Sequence, residues 1–175
     1  MGKITTTTWE MEPHTEAKHI ILRKYLNAWV PILSSWAKKV NIIDGFSGPG
    51  EYKGGEDGSP VIAIKAVAEQ KIPISSTVFF LFIEKDKDRC NFLQNKLKTI
   101  QIPKNISYAC VCGEFSKVIE NQLNKLNEKN KSIAPTFVFV DPFGFKDTPF
   151  NVIENIMKNN FCEVLGFVPR GDKAK

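Results

Sequence analysis

The chain has 175 residues, of which 42% are hydrophobic and 25% are charged, and its formal net charge is +5. This composition is that of one globular domain that can bury a core, and it excludes a low-complexity or disordered chain. The positive charge is compatible with an anionic partner such as tRNA, rRNA or DNA. Solvated lysines on helix faces and loops explain the same charge more simply.

Several classes of site are disfavoured by what the sequence lacks. The N-terminus, MGKITTTTWEMEPHTE, has no apolar core typical of a secretory signal, and no apolar stretch approaches the ~20 residues that span a bilayer. We therefore expect a cytoplasmic protein with no membrane partner. The four cysteines form no C-x-x-C pair and both histidines lie near the N-terminus, so no metal site is expected. Cys110 and Cys112 are interpreted as small core residues of one strand.

Apolar residues at helical spacing predict an amphipathic first helix. They are Ala17, Ile20, Ile21, Tyr25 and Trp29. Pro31 is expected to end or kink this helix, and a second short helix is expected over residues 34–39. Together these elements form a predicted N-terminal helical segment, residues 1–39.

Apolar runs alternate with helical patterns over the predicted sheet core, residues 40–168. The runs are VNIID, TVFFLFIEKD, ISYACVCGEF, TFVFVDPFGF and FCEVLGFV. The helical patterns between them are SPVIAIKAVAEQ, with Ser59 as N-cap and Pro60 at N1, then KDRCNFLQNKLKTI, SKVIENQLNKLNEKN and PFNVIENIMKN. Because the runs are apolar throughout, they predict a doubly wound, mostly parallel α/β sheet in a single domain. Ligands bind such sheets at the carboxyl ends of the strands.

A carboxylate lies at or just past four of these strand ends. The four residues are Asp44, Glu84, Glu114 and Asp141. Carboxylate oxygens accept hydrogen bonds from ribose hydroxyls, amines and exocyclic amino groups. The strand ends are therefore where we expect the chemistry.

The stretch NIIDGFSGPGEYKGGEDGSP holds six of the chain's eleven glycines. Its first part lacks the G-x-G-x-x-G spacing of dinucleotide sites and places an acid before the glycines. That acid disfavours a pyrophosphate and favours a ligand with an ammonium or sulfonium group, hence S-adenosylmethionine over NAD. The later glycines, from Gly54 to Gly58, predict a mobile extension that could act as a lid. Tyr52 and Lys53 face either the ligand or the solvent.

In this arrangement the sequence resembles the class I S-adenosylmethionine-dependent methyltransferases. The resemblance implies that the glycine loop approaches the methionine part of the cofactor, that Glu84 binds the ribose and that Glu114 lies near the adenine. The implied cofactor-binding residues are Asp44, Phe46, Gly48, Gly50, Glu84 and Glu114.

The end of the fourth strand, DPFG, looks like the D/N-P-P-Y/F/W motif of enzymes that methylate base amines, and it is similar to the motif of tRNA guanine-N2 methyltransferases. The resemblance implies that Asp141, Pro142 and Phe143 receive and orient an exocyclic amine of a nucleic-acid base. Phe143 replaces the proline of D-P-P-Y, which leaves amine chemistry open. Phe145 and His14 are candidate substrate contacts, with core packing and a surface histidine as the alternatives.

Three stretches also resemble the three-Cys-motif partner proteins, a methyltransferase-like family. They are EPHTEAKHIILRKYLNAW, IIDGFSGPGEYKGGEDGSPVIAI and FVFVDPFGF. This resemblance implies a partner with a three-cysteine motif like that of radical S-adenosylmethionine enzymes, and an alternative function as a catalytically inactive scaffold. Five predicted strands are fewer than the seven of a complete class I methyltransferase, so we expect a C-terminally truncated sheet whose exposed edge could mediate self-association.

Overall fold

Helices and strands alternate along residues 7–142, 144 and 147–167, which are the residues that this computed structural model describes. The helices are α1 (Pro13–Ser34), α2 (Ser59–Ala68), α3 (Lys87–Lys98), α4 (Phe115–Glu128) and α5 (Phe150–Met157). The strands are β1 (Lys39–Asp44), β2 (Thr77–Glu84), β3 (Ile106–Cys112), β4 (Thr136–Val140) and β5 (Cys162–Gly166).

The strands form one sheet in the order β3-β2-β1-β4-β5, and every neighbouring pair is parallel. The predicted doubly wound α/β fold is thereby confirmed. The strand order reverses between β1 and β4, so the loops that follow these two strands leave a crevice at the switch point. Strands β3 and β5 are the edges of the sheet within the described residues.

Helices cover both faces of the sheet and create two apolar cores. The first core lies under α1, α2 and α3, and the second lies under α4 and α5. Alternate residues of β2 enter opposite cores, with Phe80 and Phe82 in the first and Leu81 and Ile83 in the second. Burying each of these side chains contributes roughly 1.5–3 kcal/mol. This two-sided burial is why the strands are apolar throughout.

Helix α1 differs from its prediction in length and in its buried face. It continues through Pro31 to Ser34, and the short helix expected over residues 34–39 is absent because Lys39 already begins β1. Val30 and Leu33 are buried on either side of Pro31, and we attribute the continuation to their packing in the first core. The proline removes only one backbone donor near the helix end.

Of the apolar residues that predicted α1, only Trp29 is buried. Ile20 and Ile21 are 49% and 45% exposed. The buried stripe is instead His19, Leu22, Leu26, Trp29, Val30 and Leu33. Because apolar residues occur on more than one side of this helix, spacing alone could not choose the face.

Helix α1 is tied to the far edge of the sheet by polar contacts with β5. The Trp29 indole N–H donates to Glu163 Oε1 at 3.0 Å, and the Tyr25 hydroxyl donates to the other oxygen of the same carboxylate. Partial burial and the Glu163 carboxylate together raise the pKa of Tyr25 to about 12. The Tyr25 ring also stacks on Phe137 of β4, with centroids 5.0 Å apart.

The interpretation of Cys112 as a core residue was wrong. Cys112 is exposed at the end of β3 and forms a disulfide with Cys90 in the first turn of α3. Cys110, two residues earlier on the same face of β3, is a free, half-buried thiol. The pairing arises because α3 packs across β3, a contact that cysteine spacing does not reveal.

No helix in the described part of the chain has the length and apolarity needed to cross a membrane. The same residues contain no group of three or more His, Cys, Asp or Glu side chains placed to hold a metal ion.

Candidate functional site

The glycine turn, residues 45–50, follows β1 and is hydrogen-bonded to the two neighbouring strands. The N–H of Gly45 donates to the carbonyl of Phe139 on β4, and the N–H of Ser47 donates to the carbonyl of Ile83 on β2. The Ser47 hydroxyl accepts from the N–H of Ile83 at 3.1 Å and donates to the carbonyl of Asp44 at 3.0 Å. These bonds fix the turn at the switch point of the sheet.

Two positions of this turn have a backbone that favours glycine. Gly48 has φ +60° and Gly50 has φ +79°. A Cβ on Gly50 would lie 2.6 Å from Leu93 Cδ1, and a Cβ on Gly48 would lie 3.5 Å from the Trp9 ring. The turn therefore combines an unusual backbone with close packing.

Asp44, the last residue of β1, is buried beneath the turn. Its Oδ2 accepts a hydrogen bond of 2.6 Å from the Ser59 hydroxyl, and its Oδ1 accepts one of 3.1 Å from the N–H of Phe46. Burial raises the pKa of Asp44 to about 7, against the lowering effect of these two bonds, and the charges of Asp141 and Glu84 raise it further. A cation close to Asp44 would stabilise its ionised form.

Ser59 thus has a different role from the predicted one. It was predicted to cap α2, but the N-cap is Gly58 and the hydroxyl of Ser59 reaches Asp44 instead. Pro60 still lies in the first turn of the helix, as expected.

Glu84 and Asp141 lie on either side of Asp44. Asp44 is in register with Phe82 on β2 and with Phe139 on β4. Glu84 comes two residues after Phe82, at the end of β2, and Asp141 comes two residues after Phe139, just beyond the end of β4. All three therefore belong to the same end of the sheet. The charges of Glu84 and Asp141 both act on Asp44 and raise its pKa.

Glu84 is 7% exposed, and its carboxylate accepts hydrogen bonds from the backbone around it. Its Oε2 accepts from the N–H of Gly48 at 2.9 Å, and its Oε1 accepts from the N–H of Asp86 at 2.8 Å. Each oxygen keeps a further lone pair for a hydroxyl donor.

Glu114, the fourth predicted carboxylate, has a more open setting. It is exposed at the start of α4 and pairs with Lys117 at 2.6 Å, which lowers the pKa of Glu114. Its side chain is therefore directed to its own helix in this structure.

Asp141 is paired with a lysine of α1. The Lys18 ammonium donates to Oδ1 at 2.6 Å and to Oδ2 at 2.9 Å, and both side chains are only about a quarter exposed, at 22% and 24%. Lys18 Nζ also lies 5.3 Å from the centroid of the Phe167 ring. The predicted acceptor carboxylate thus already holds an amine of its own chain.

Of the remaining motif residues, Pro142 is buried. Phe143 and Phe145 lie outside the described residues, so their stacking role stays a prediction. His14 is exposed and pairs with Glu12 at 3.2 Å.

His19 is a buried residue of α1 whose electrostatic neighbours are Asp141 and Lys18, whereas His14 is exposed. Burial lowers the pKa of His19, the Asp141 charge opposes this effect and the Lys18 charge adds to it. The His19 and Tyr52 rings are 5.7 Å apart. Tyr52 is itself half-buried, and burial raises its pKa. Of the two alternatives for Tyr52, the structure therefore favours the side that faces the site.

The segment before α1 covers the glycine turn. The N–H of Lys53 donates to the carbonyl of Trp9 at 2.9 Å, and the Trp9 ring meets the Tyr52 ring edge-on at 5.9 Å. The guanidinium of Arg89, a buried residue of α3, lies 4.9 Å from the centre of the Trp9 ring. Neither Trp9 nor Arg89 was a candidate from the sequence, because nothing in the local pattern places them at the turn.

The segment predicted to be a mobile extension, residues 54–58, lies in a turn, and its role as a lid stays a prediction. Glu51 and Asp57 form an antiparallel bridge, the N–H of Tyr52 donates to the carbonyl of Glu56, and the N–H of Gly58 donates to the carbonyl of Gly50. Lys53, at its tip, is exposed.

Comparison with known proteins adds little to this geometry. No family model matches the chain, and no curated protein matches it. A solved structure from Haemophilus influenzae, provisionally named a methylase, is similar at a TM-score of 0.48 and 17% identity over 88% of this chain and 74% of its own. A TM-score below 0.5 is too low to transfer an activity from that protein.

Proposed function

We propose that this chain binds S-adenosylmethionine at the ends of β1 and β2 and directs its methyl group to an amine held at Asp141. The observation that carries the proposal is the placement of Asp44, Glu84 and Asp141 around one glycine turn at the switch point of the sheet. Carboxylates at this point favour a cationic ligand and disfavour a pyrophosphate, and Asp141 already holds one cation, the ammonium of Lys18.

The residues fit the chemistry of this cofactor. Asp44 would face its positive charge, and Glu84 has lone pairs left for the ribose hydroxyls. The positive φ values of Gly48 and Gly50 allow the backbone to lie close to a ligand. When bound, S-adenosylmethionine supplies a methyl group activated by a sulfonium.

In this mechanism the protein contributes mainly alignment. Asp141 accepts a hydrogen bond from the acceptor amine and directs its lone pair, so that positioning accelerates the transfer and the amine need not be deprotonated first. His19, with a lowered pKa, is a neutral base near Asp141. Because Lys18 occupies both oxygens of Asp141, an incoming amine must replace or share that contact.

For the acceptor we propose an exocyclic amine of a nucleic-acid base. The support is the resemblance of DPFG to base-amine motifs and the net charge of +5. Methylation assays with tRNA, rRNA and DNA would identify the class, and transfer to none of them would contradict this part of the proposal.

Isothermal titration calorimetry with S-adenosylmethionine, its demethylated product and NAD tests the cofactor assignment. We expect the first two to bind and NAD not to bind. Glu84→Gln should weaken binding about tenfold or more, because a charged acceptor of hydrogen bonds is lost. Glu120→Gln, at an exposed residue of α4, is the matched control and should leave affinity unchanged. A folded wild-type protein that binds neither methyltransferase ligand would contradict the proposal.

A second candidate is a catalytically inactive scaffold that binds a three-cysteine-motif protein or a second copy of itself. It is favoured by the closure of the site by its own chain and by an exposed aromatic pair, Trp36 and Phe161, whose centroids are 4.8 Å apart. Absence of ligand binding together with co-elution with such a partner would favour it. A monomer at high concentration in gel filtration would contradict self-association through the edge of β5.

A further inference from the structure

Three of the four cysteines lie together beside the candidate cofactor site. Cys90, in the first turn of α3, is bonded to Cys112 at the end of β3, and the free Cys110 sulfur lies 3.8 Å from the Cys90 sulfur. The Gln94 amide nitrogen lies 3.9 Å from both Cys90 Sγ and Cys112 Sγ, and it donates to the carbonyl of Cys110 at 3.3 Å. This group contains a disulfide, a third thiol and a hydrogen-bond donor.

The geometry points to a redox site in which Cys90 and Cys112 form a reversible disulfide. A small dithiol opens this disulfide by attacking Cys112. While it is closed, the disulfide fixes the first turn of α3 beside Glu84. The direction of attack follows from exposure. Cys112 is exposed, whereas Cys90 is completely buried.

The reaction balances as an ordinary thiol–disulfide exchange. A thiolate of the dithiol bonds to Cys112 Sγ, the disulfide breaks, and Cys90 leaves with the electron pair and takes up a proton. Gln94 is placed to donate a hydrogen bond to that leaving sulfur. The second thiol of the reductant then displaces Cys112, so the protein gains two thiols and the dithiol becomes a disulfide.

Cys110 is the nearest competitor for Cys90, but it is poorly reactive. Burial raises the pKa of Cys110 to about 11, and the charges of Glu84 and Asp44 act in the same direction. Since the thiolate is the attacking species, internal exchange from Cys110 to Cys90 is slow at neutral pH. The Cys90–Cys112 pairing is therefore the one that persists.

The disulfide is connected to the cofactor site through the backbone around Glu84. Cys112 is in register with Glu84 across the β2–β3 pair. On the other side, the N–H of Cys90 donates to the carbonyl of Asp86, whose own N–H donates to Glu84 Oε1 at 2.8 Å. Opening the disulfide releases the first turn of α3 from β3 and loosens the positioning of Glu84.

The chemistry is tested on the full folded chain without any cofactor. Dithiothreitol is added under native conditions, the reaction is acid-quenched, and thiols are alkylated in denaturant and located by peptide mass mapping. We expect a Cys90–Cys112 peptide before reduction and an increase from two to four thiols afterwards, with a lower thermal midpoint. Cys110→Ser should leave the linked peptide and its reduction rate unchanged, and Cys112→Ser should abolish the peptide.

Three results would overturn the inference: a linked peptide that contains Cys110, a disulfide that opens only in denaturant, or a thermal midpoint that reduction does not change. Cys162→Ser, at the free cysteine of the second core, is the control for loss of a thiol elsewhere.

The connection to Glu84 rests on the proposed function and has its own measurement. Reduced protein should bind S-adenosylmethionine about fivefold or more weakly than oxidised protein, as for a typical coupling between sites. Equal affinities would contradict the connection. Absence of binding in both states, with the thiol results as expected, would contradict only the proposed function.

Discussion

The pKa of Asp44 predicts an unusual pH dependence of stability. Burial raises the pKa of this carboxyl from 3.8 to about 7 in the folded protein. Below about pH 4 both the folded and the unfolded chain are protonated at this residue, so it has no effect. Between about pH 4 and pH 7 the unfolded chain loses the proton while the folded protein keeps it, so the free energy of unfolding falls as pH rises.

The magnitude follows from the width of that window. Each pH unit is worth about 1.4 kcal/mol, so Asp44 should destabilise the folded protein by up to about 4 kcal/mol above pH 7 relative to acidic solution. Asp44→Asn removes the ionisation and keeps the shape of the side chain. Any hydrogen bond that the amide cannot make is a loss that does not depend on pH.

The assay is urea unfolding, followed by tryptophan fluorescence at several pH values, of the wild type and Asp44→Asn. The free energy of unfolding of the variant minus that of the wild type should increase from pH 4 to pH 7 and then level off, because other titrating groups cancel in the difference. Asn91→Ala, at an exposed residue that carries no titrating group, should give a flat difference. A flat difference for Asp44→Asn, or one that grows toward acid, would refute the reasoning.

Two further predictions concern the turn and the ion pair. Gly50→Ala should lower the free energy of unfolding by at least about 2 kcal/mol, because the φ of +79° and Leu93, 2.6 Å from the new Cβ, both oppose a side chain. Gly55→Ala, at φ +90° with no atom within 4 Å of its Cβ, should lower it by only about 1 kcal/mol in the same urea assay, and equal losses would contradict the packing argument. Lys18→Met should lower the free energy of unfolding by about 1–3 kcal/mol, because the partly buried Asp141 loses its partner, whereas Lys18→Arg should retain most of the stability. Equal urea midpoints for the wild type and Lys18→Met would show that the pair contributes nothing.

The strands and the carboxylates at their ends could be predicted because each depends on a short stretch of sequence. A run such as TFVFV is apolar on both faces, and Asp141 follows it directly. Contacts between distant segments could not be predicted in this way. Lys18 reaches Asp141 across 123 positions, and the disulfide depends on how α3 packs on β3. Ser59 is a further example, because its hydroxyl donates to the buried Asp44, 15 positions earlier, and does not cap its own helix.

The contacts of α1 with Glu163 have a consequence for the order of folding during synthesis. Tyr25 and Trp29 are separated from this residue by 138 and 134 positions. At roughly 5–20 residues per second, a ribosome makes Glu163 roughly 7–30 s after these aromatic residues. Throughout that interval the first helix lacks its hydrogen bonds to β5, so its attachment to this edge of the sheet is completed only after β5 has been made.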